Sequence, residues 1–318
     1  MLLGLETFSY HLFFRWDKMD VFEFARKTRE LGLDGVQLHW RHFESLDPDR
    51  LPQLRRLTDD LGLYVEVDTP FFERAHLEKM LHICATLGAQ VLRTYVSTPD
   101  LIDGEQQRGY SAAQLPAQLA AAPDLLRQLL PLCAQLGVRI AVENHEYETS
   151  DDMLRVVRAV DSEWVGLLID NGNSMMVWED PSSATGAMAP HALSTHFKDH
   201  LVIVEDEQPA VIGVPLGRGS MDLDDSFRIL ATETALQRVN IEVCYAYRAP
   251  FRRTQQEGAG GRLGEGAFRI HEPPYDPATI APFPLPTATS ERAQLLAWQE
   301  QAVIDSVAHV KQLNDRLG

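Results

Sequence analysis

Apolar residues fall in short runs along this chain, and each run is followed by a stretch whose apolar positions recur at helical spacing. The runs are "LLGLETFSY", "GVQLHW", "LYVEVDT", "QVLRTYVS", "VRIAVENHE", "VGLLIDNGN", "ALSTHFKDH" and "VNIEVCY", eight strand candidates in all. Between them "DVFEFARKTRELGL", "DPDRLPQLRRLTDDLGL", "HLEKMLHICATLGA" and "PDLLRQLLPLCAQLGV" read as amphipathic helices, several closing on "LG" where a glycine ends a helix. Strands alternating with helices at steps of about 25 to 30 residues imply βαβ units and a parallel sheet, and eight of them predict an α/β fold closed into a (β/α)8 barrel. The doubly wound open sheet is the rival, disfavoured because no GxGxxG follows the first strand.

Such a barrel needs roughly 250 residues. The surplus sits after strand eight, where 246–290 is rich in Gly and Pro and aperiodic, and is expected to be a loop insertion within a single barrel domain spanning 1–318. A helix over "SERAQLLAWQEQAVIDSVAHVKQL" finishes the chain.

Alternation along the later strands sorts their residues into two faces. Glu143 and His145 share one, opposite Ile140 and Val142; Asp170 opposes Leu167 and Ile169; His196, Lys198 and His200 oppose Thr195 and Phe197; Glu242 opposes Ile241 and Val243. Strands five to eight therefore point acids and an imidazole inward at the end where barrel enzymes build their sites. Glu143, Asp170 and Glu242 facing one another would repel unless a cation lay between them, and no inward arginine accompanies the set. Three carboxylates and one imidazole suit Mn²⁺ or Mg²⁺, with Co²⁺ and Zn²⁺ as alternatives. A metal holding adjacent hydroxyl and carbonyl oxygens stabilises an enediolate, the chemistry of sugar isomerisation. For Lys198, Asp199 and His200 a polar loop leaving the strand is the plain alternative.

"VENH", "IDNGN", "HFKDH" and "IEV", in this order at successive strand ends, resemble the xylose isomerase-like TIM barrel superfamily, the sugar phosphate isomerase/epimerase group. The resemblance covers nearly the whole barrel. It implies Glu143, Asp170, His196 and Glu242 as metal ligands, Glu143 and Glu242 also as bases on opposite faces of a ketose, and Asp199 as an orienting group. A substrate-binding histidine of the ketose epimerases has Asn173 as its equivalent here, and His145 is more familiar from lyase-like relatives. The expected activity is a metal-dependent isomerase or epimerase on a keto-sugar. The alternatives are a lyase (decarboxylase, dehydratase or 3-oxo-glycoside cleavage) with His145 and Lys198 as general acid or base, and a non-catalytic sugar-binding barrel or partner subunit.

Composition narrows the partners. A formal charge of −17 argues against nucleic acid and anionic membranes, so a small carbohydrate or sugar acid is the expected ligand. Endonuclease IV, of the same superfamily, would also require several more histidines at strand ends. Three scattered cysteines fit a reducing, cytoplasmic setting, and no apolar run is long enough for a membrane span. Tyr10, His11, His39, Trp40, Glu66, Asp68 and Arg93 end the first four strands; of these His11 and Trp40 are candidate substrate contacts, with barrel packing as the alternative. His76, His82 and His309 lie in helical stretches and read as structural. The insertion carries Arg248, Arg252, Arg253, Arg262 and Arg269, so it is expected either to close over an anionic substrate, with Arg248 in contact, or to serve as a loop or homo-oligomer contact.

Overall fold

The structure is a computed structural model that describes residues 1–43, 49–97, 101–102, 105–106 and 114–317. Its strands in chain order are β1 (Leu2–Glu6), β2 (Gly35–His39), β3 (Tyr64–Asp68), β4 (Val91–Tyr95), β5 (Leu101–Ile102), β6 (Glu105–Gln106), β7 (Arg139–Glu143), β8 (Val165–Asp170), β9 (Ala192–His196), β10 (Asp199–Glu205), β11 (Gln208–Val214), β12 (Arg238–Ile241) and β13 (Arg248–Pro250). The helices are α1 (His11–Arg15), α2 (Val21–Glu30), α3 (Arg50–Asp60), α4 (Arg74–Leu87), α5 (Leu115–Leu136), α6 (Ser150–Val160), α7 (Pro181–Met188), α8 (Leu223–Thr232) and α9 (Thr289–Leu317). Residues 47 and 48, which open the second helix expected from the sequence, lie outside the described residues.

Eight strands form one parallel sheet in the order β12, β1, β2, β3, β4, β7, β8, β9. Phe197 closes it: its N–H donates to Asn240 O and its carbonyl accepts from Glu242 N–H, joining the end of β9 to β12. These eight are the strands expected from the apolar runs, and the fold is the (β/α)8 TIM barrel.

Local chemistry explains the intervening helices. Asp20 and Glu23 make a reciprocal capping box at the start of α2, as Thr149 and Asp152 do for α6. Gly88 and Gly137 end α4 and α5 with φ near +69° and +68°, a conformation an L side chain resists. The helices bury their apolar stripes against the outer faces of the strands, forming a continuous core that includes Phe24, Leu54, Leu81, Leu126, Met153, Phe227 and Val303.

Two features depart from the expectation. The run "ALSTHFKDH" is two strands, because β9 stops at His196 and β10 starts at Asp199. β10 pairs antiparallel with β11 through a tight turn at Asp206 and Glu207, both at positive φ as primed hairpin turns require. The insertion after strand eight then contributes β13, which adds to β11 to make a three-stranded antiparallel sheet beside the barrel mouth. The insertion is also pinned to the barrel by Trp178, which stacks on Phe251 at 3.7 Å and donates its indole N–H to Arg253 O at 2.9 Å.

Candidate functional site

Glu143, Asp170 and His196 are the last residues of β7, β8 and β9, and Glu242 follows β12 directly. An asparagine after each of the first two acids holds adjacent strand ends in register. Asn144 donates to Asp170 O and accepts from Asp170 N–H, both at 2.9 Å. Asn171 does the same for Lys198, at 3.1 and 2.9 Å. Asp170 Oδ1 is used up by the N–H groups of Gly172 and Asn173 at 3.0 and 2.9 Å, which turns Oδ2 to the centre.

The four groups converge. His196 Nδ1 lies 2.9 Å from Glu143 Oε1, 3.4 Å from Glu242 Oε2 and 3.6 Å from Asp170 Oδ2. Adjacent ligands of an octahedral ion with bonds of about 2.1 Å stand about 3 Å apart, so these edges are of the size a small divalent cation needs. The imidazole orientation agrees. Gln37 spends its amide N–H groups on Glu66 and Ser194, so its Oε1 accepts from His196 Nε2–H and leaves Nδ1 facing the carboxylates. In the absence of a cation that arrangement calls for a second proton on the ring: burial lowers the His196 pKa, but the charges of Glu242 and Glu143 outweigh it and lift it well above the usual value. Glu143, Asp170 and His196 also form a buried donor triad, with ligand atoms within 4.8 Å of one another. The residues fit a divalent metal.

The absence of an inward arginine does not survive. Arg93 on β4 reaches into the barrel, pairs with Glu143 Oε2 and lies 3.6 Å from Asp68. Its guanidinium also covers the Tyr95 ring at 4.7 Å. The alternation of β4 puts Arg93 inward, which the sequence reading of strands five to eight did not take into account. Lys198, in the two-residue link between β9 and β10, likewise is no solvated loop residue. It is 5% exposed, and its Nζ lies 2.6 Å from Asp170 Oδ2 and in contact with Glu242 Oε2. Neither of those oxygens has a well-aligned hydrogen bond, so the ammonium is what each meets. Burial raises the Glu143 pKa, yet the Arg93 guanidinium, with His196 behind it, holds it well below the ordinary carboxylate range.

A cleft of about 720 Å³ opens onto this cluster. His145 lines it, stacked on Tyr95 at 3.8 Å, with its N–H held by Glu148 at 3.1 Å and its Nδ1 unpartnered. Burial lowers the His145 pKa, so the ring is neutral there. His11 and Asn173 line the same cleft; His11 stacks on Phe8 at 4.4 Å, and burial lowers its pKa to about 4. Two expected substrate contacts lie elsewhere. Trp40 packs edge-on against Phe71 and His76, outside the cleft lining, because the turn after β2 swings it away while His39 faces inward. Arg248 sits on β13, paired with Glu205 at 2.5 Å and over the Phe283 ring, because pairing with β11 carries it past the mouth. Asp199 accepts from Gly217 and Gly219 N–H and ties down the segment after β11.

Several cleft residues went unforeseen. Glu6 ends β1 and is buried; burial, then Asp68 and Glu242, push its pKa well up. Glu146, at φ +60°, accepts from Tyr247 and pairs with Arg252, so the insertion joins the loop that carries His145. A carboxylate at the end of the first strand was a readable signal. The Glu146–Arg252 pair was not, being set by tertiary packing.

The model of one family, xylose isomerase-like TIM barrel, matches residues 25–260. The 3-oxo-isoapionate decarboxylase of Pectobacterium atrosepticum is 27% identical over 232 residues, covering 70% of this chain and 78% of that one. Among solved structures, D-psicose 3-epimerase in the presence of D-fructose superposes with a TM-score of 0.58 at 15% identity, over 96% of this chain and 100% of that one. The IOLI protein with a binding zinc atom gives 0.59 at 14%, over 97% and 99%. At such identities the structural matches speak for the fold alone.

Proposed function

We propose that this chain, which belongs to the xylose isomerase-like TIM barrel family, is a divalent-metal-dependent enzyme that decarboxylates a sugar-derived 3-oxo acid. The observation that carries the choice is the state of Glu143, whose Oε2 is taken by Arg93 and whose Oε1 meets His196. A two-base epimerase needs a free carboxylate on each face of its substrate, whereas here, of the two glutamates Glu143 and Glu242, Glu143 is held by an arginine. Decarboxylation needs no base to remove a C–H proton. The likeness to a sugar-acid decarboxylase supports the same reading.

Glu143, Asp170, His196 and Glu242 would hold the metal. A bound divalent cation supplies a Lewis acid for the carbonyl oxygen next to the breaking bond. Arg93 fixes the Glu143 carboxylate so that it stays a ligand, and the Asn144 and Asn171 bridges keep the strand ends from spreading. As the bond to the carboxylate breaks, its electron pair passes toward the neighbouring carbonyl. The carbon that loses CO₂ then takes a proton from Lys198 Nζ, which lines the cleft. His145, neutral beside Tyr95, is placed to orient a hydroxyl, and the lysine regains its proton from water entering the cleft.

The test is proton NMR in D₂O with Mn²⁺ present, using a panel of 3-oxo sugar acids and ketoses, with the wild type beside Glu242→Gln. The expected result is CO₂ and a product carrying one deuterium at the carbon that lost it, together with loss of turnover and of bound Mn²⁺ in the variant. Interconversion of ketoses without CO₂ would instead establish isomerisation with Glu242 as the single base. A wild type that binds no metal and turns nothing over would end the proposal.

A further inference from the structure

Lys198 holds an unusual position for a lysine at a cleft. The two oxygens it touches, Asp170 Oδ2 and Glu242 Oε2, are the same two that face His196 Nδ1 at 3.6 and 3.4 Å. The placement is built in. Phe197 turns outward to pack edge-on against Phe227, which sends the next residue inward. Asn171 holds the Lys198 backbone at both its N–H and its carbonyl. Gly172 makes room for the stem, since a Cβ there would come within 2.7 Å of Lys198 Cγ.

We infer that Lys198 is the resident counter-charge of the metal site and competes with the metal: a divalent cation binds by driving the ammonium off Asp170 and Glu242 into the cleft. The inference rests on the reading of the four residues as metal ligands. Five buried carboxyls, Glu6, Asp68, Glu143, Asp170 and Glu242, crowd this end of the barrel against two permanent cations, Arg93 and Lys198. Arg93 is pinned by Glu143 on one side and Asp68 on the other. Lys198 hangs on a flexible four-carbon stem and already forms part of the cleft wall. A cation at bonding distance from Asp170 Oδ2 and Glu242 Oε2 would meet the ammonium as a like charge across the same oxygens, with little water between to screen it. The lysine is the group able to move.

Two properties follow from such a competitor. The apo barrel stays folded, because Lys198 offsets the charge of Asp170 and Glu242 without a metal. Metal loading also presents Lys198 to the substrate, so an enzyme without its metal lacks an exposed proton donor.

The test is equilibrium dialysis with Mn²⁺ of the wild type, Lys198→Met, Lys198→Arg and Glu242→Gln, with amine labelling of wild-type Lys198 by reductive methylation. The chain has five lysines, so the labelled site is resolved by peptide mapping. Lys198→Met is expected to bind Mn²⁺ at least about tenfold more tightly than the wild type, Lys198→Arg no more tightly, and Mn²⁺ to raise labelling of Lys198. Equal or weaker binding by Lys198→Met, or labelling indifferent to Mn²⁺, would overturn the competition while the metal site stands. No Mn²⁺ on either the wild type or Lys198→Met would overturn the metal site with it. Should Lys198→Met fail to fold, the labelling of the wild type decides.

Discussion

The barrel interior carries two polar layers, one resolved and one not. In the lower layer Glu66 of β3 is completely buried, yet each of its oxygens is engaged: Oε1 pairs with Arg238 at 2.6 Å, and Oε2 accepts from Gln37, Ser194 and Asn240. In the upper layer, one pleat nearer the strand ends, Asp170 Oδ2 and Glu242 Oε2 share one lysine and the His196 imidazole, and Asp68 Oδ1 has no hydrogen bond. Both layers use the same residue types, so charge alone does not mark a site. The partners mark the difference: Glu66 is shared among an arginine and three neutral donors inside the barrel, whereas Asp170 and Glu242 share one lysine and one imidazole at the wall of a cleft.

The largest effect should come from breaking the closed layer. Glu66→Ala leaves Arg238 without its carboxylate and strips Gln37, Ser194 and Asn240 of an acceptor, so urea unfolding should show a loss of about 3 to 5 kcal/mol. Asp170→Asn in the upper layer should cost much less in metal-free protein, because it removes one of several like charges, while weakening Mn²⁺ binding strongly. Equal losses from both substitutions would erase the distinction between the layers.

The sequence revealed the two layers unequally. The strands and the inward placement of the four upper residues follow from period-two alternation and from carboxylates at the ends of apolar runs, both local signals. Glu66 and Arg93 were read only as residues at strand ends, and an inward arginine was not expected, because their partners come from strands far away in the chain. Lys198 was legible as an inward residue and illegible as an ion-pair partner for the same reason. The β10–β11 hairpin left a trace in "LVIVEDEQPAVIGV", two apolar runs around a charged turn, hidden behind the expectation that each strand leads to a helix. Trp40 and Arg248 were placed from their nearness to strand ends; a turn and a strand pairing then carried each one off.

A pH dependence separates the upper layer from the shell behind it. Glu148 is fully buried and accepts from Ser97 and His145 N–H; burial raises its pKa to about 8. A carboxyl raised in the folded state binds its proton there while the unfolded chain has released it. Its contribution is therefore complete below pH 4.5 and is lost as pH rises to 8, with a slope of at most about 1.4 kcal/mol per unit. Thermal unfolding of Glu148→Gln across that window should be flatter than that of the wild type. A parallel profile would assign the slope to other groups.

The smallest effect calibrates the rest. Arg248 pairs with Glu205, which is 43% exposed at the side chain, and touches neither layer. Solvent screens such a pair and the arginine gives up conformational freedom to make it, so Arg248→Ala should cost no more than about 1 kcal/mol in urea unfolding. Mn²⁺ affinity should be unchanged, since no atom of the upper cluster meets this arginine. A marked loss of metal or substrate binding in this variant would mean that Arg248 itself reaches the cleft in solution, and would return it to the role its place in the sequence first implied.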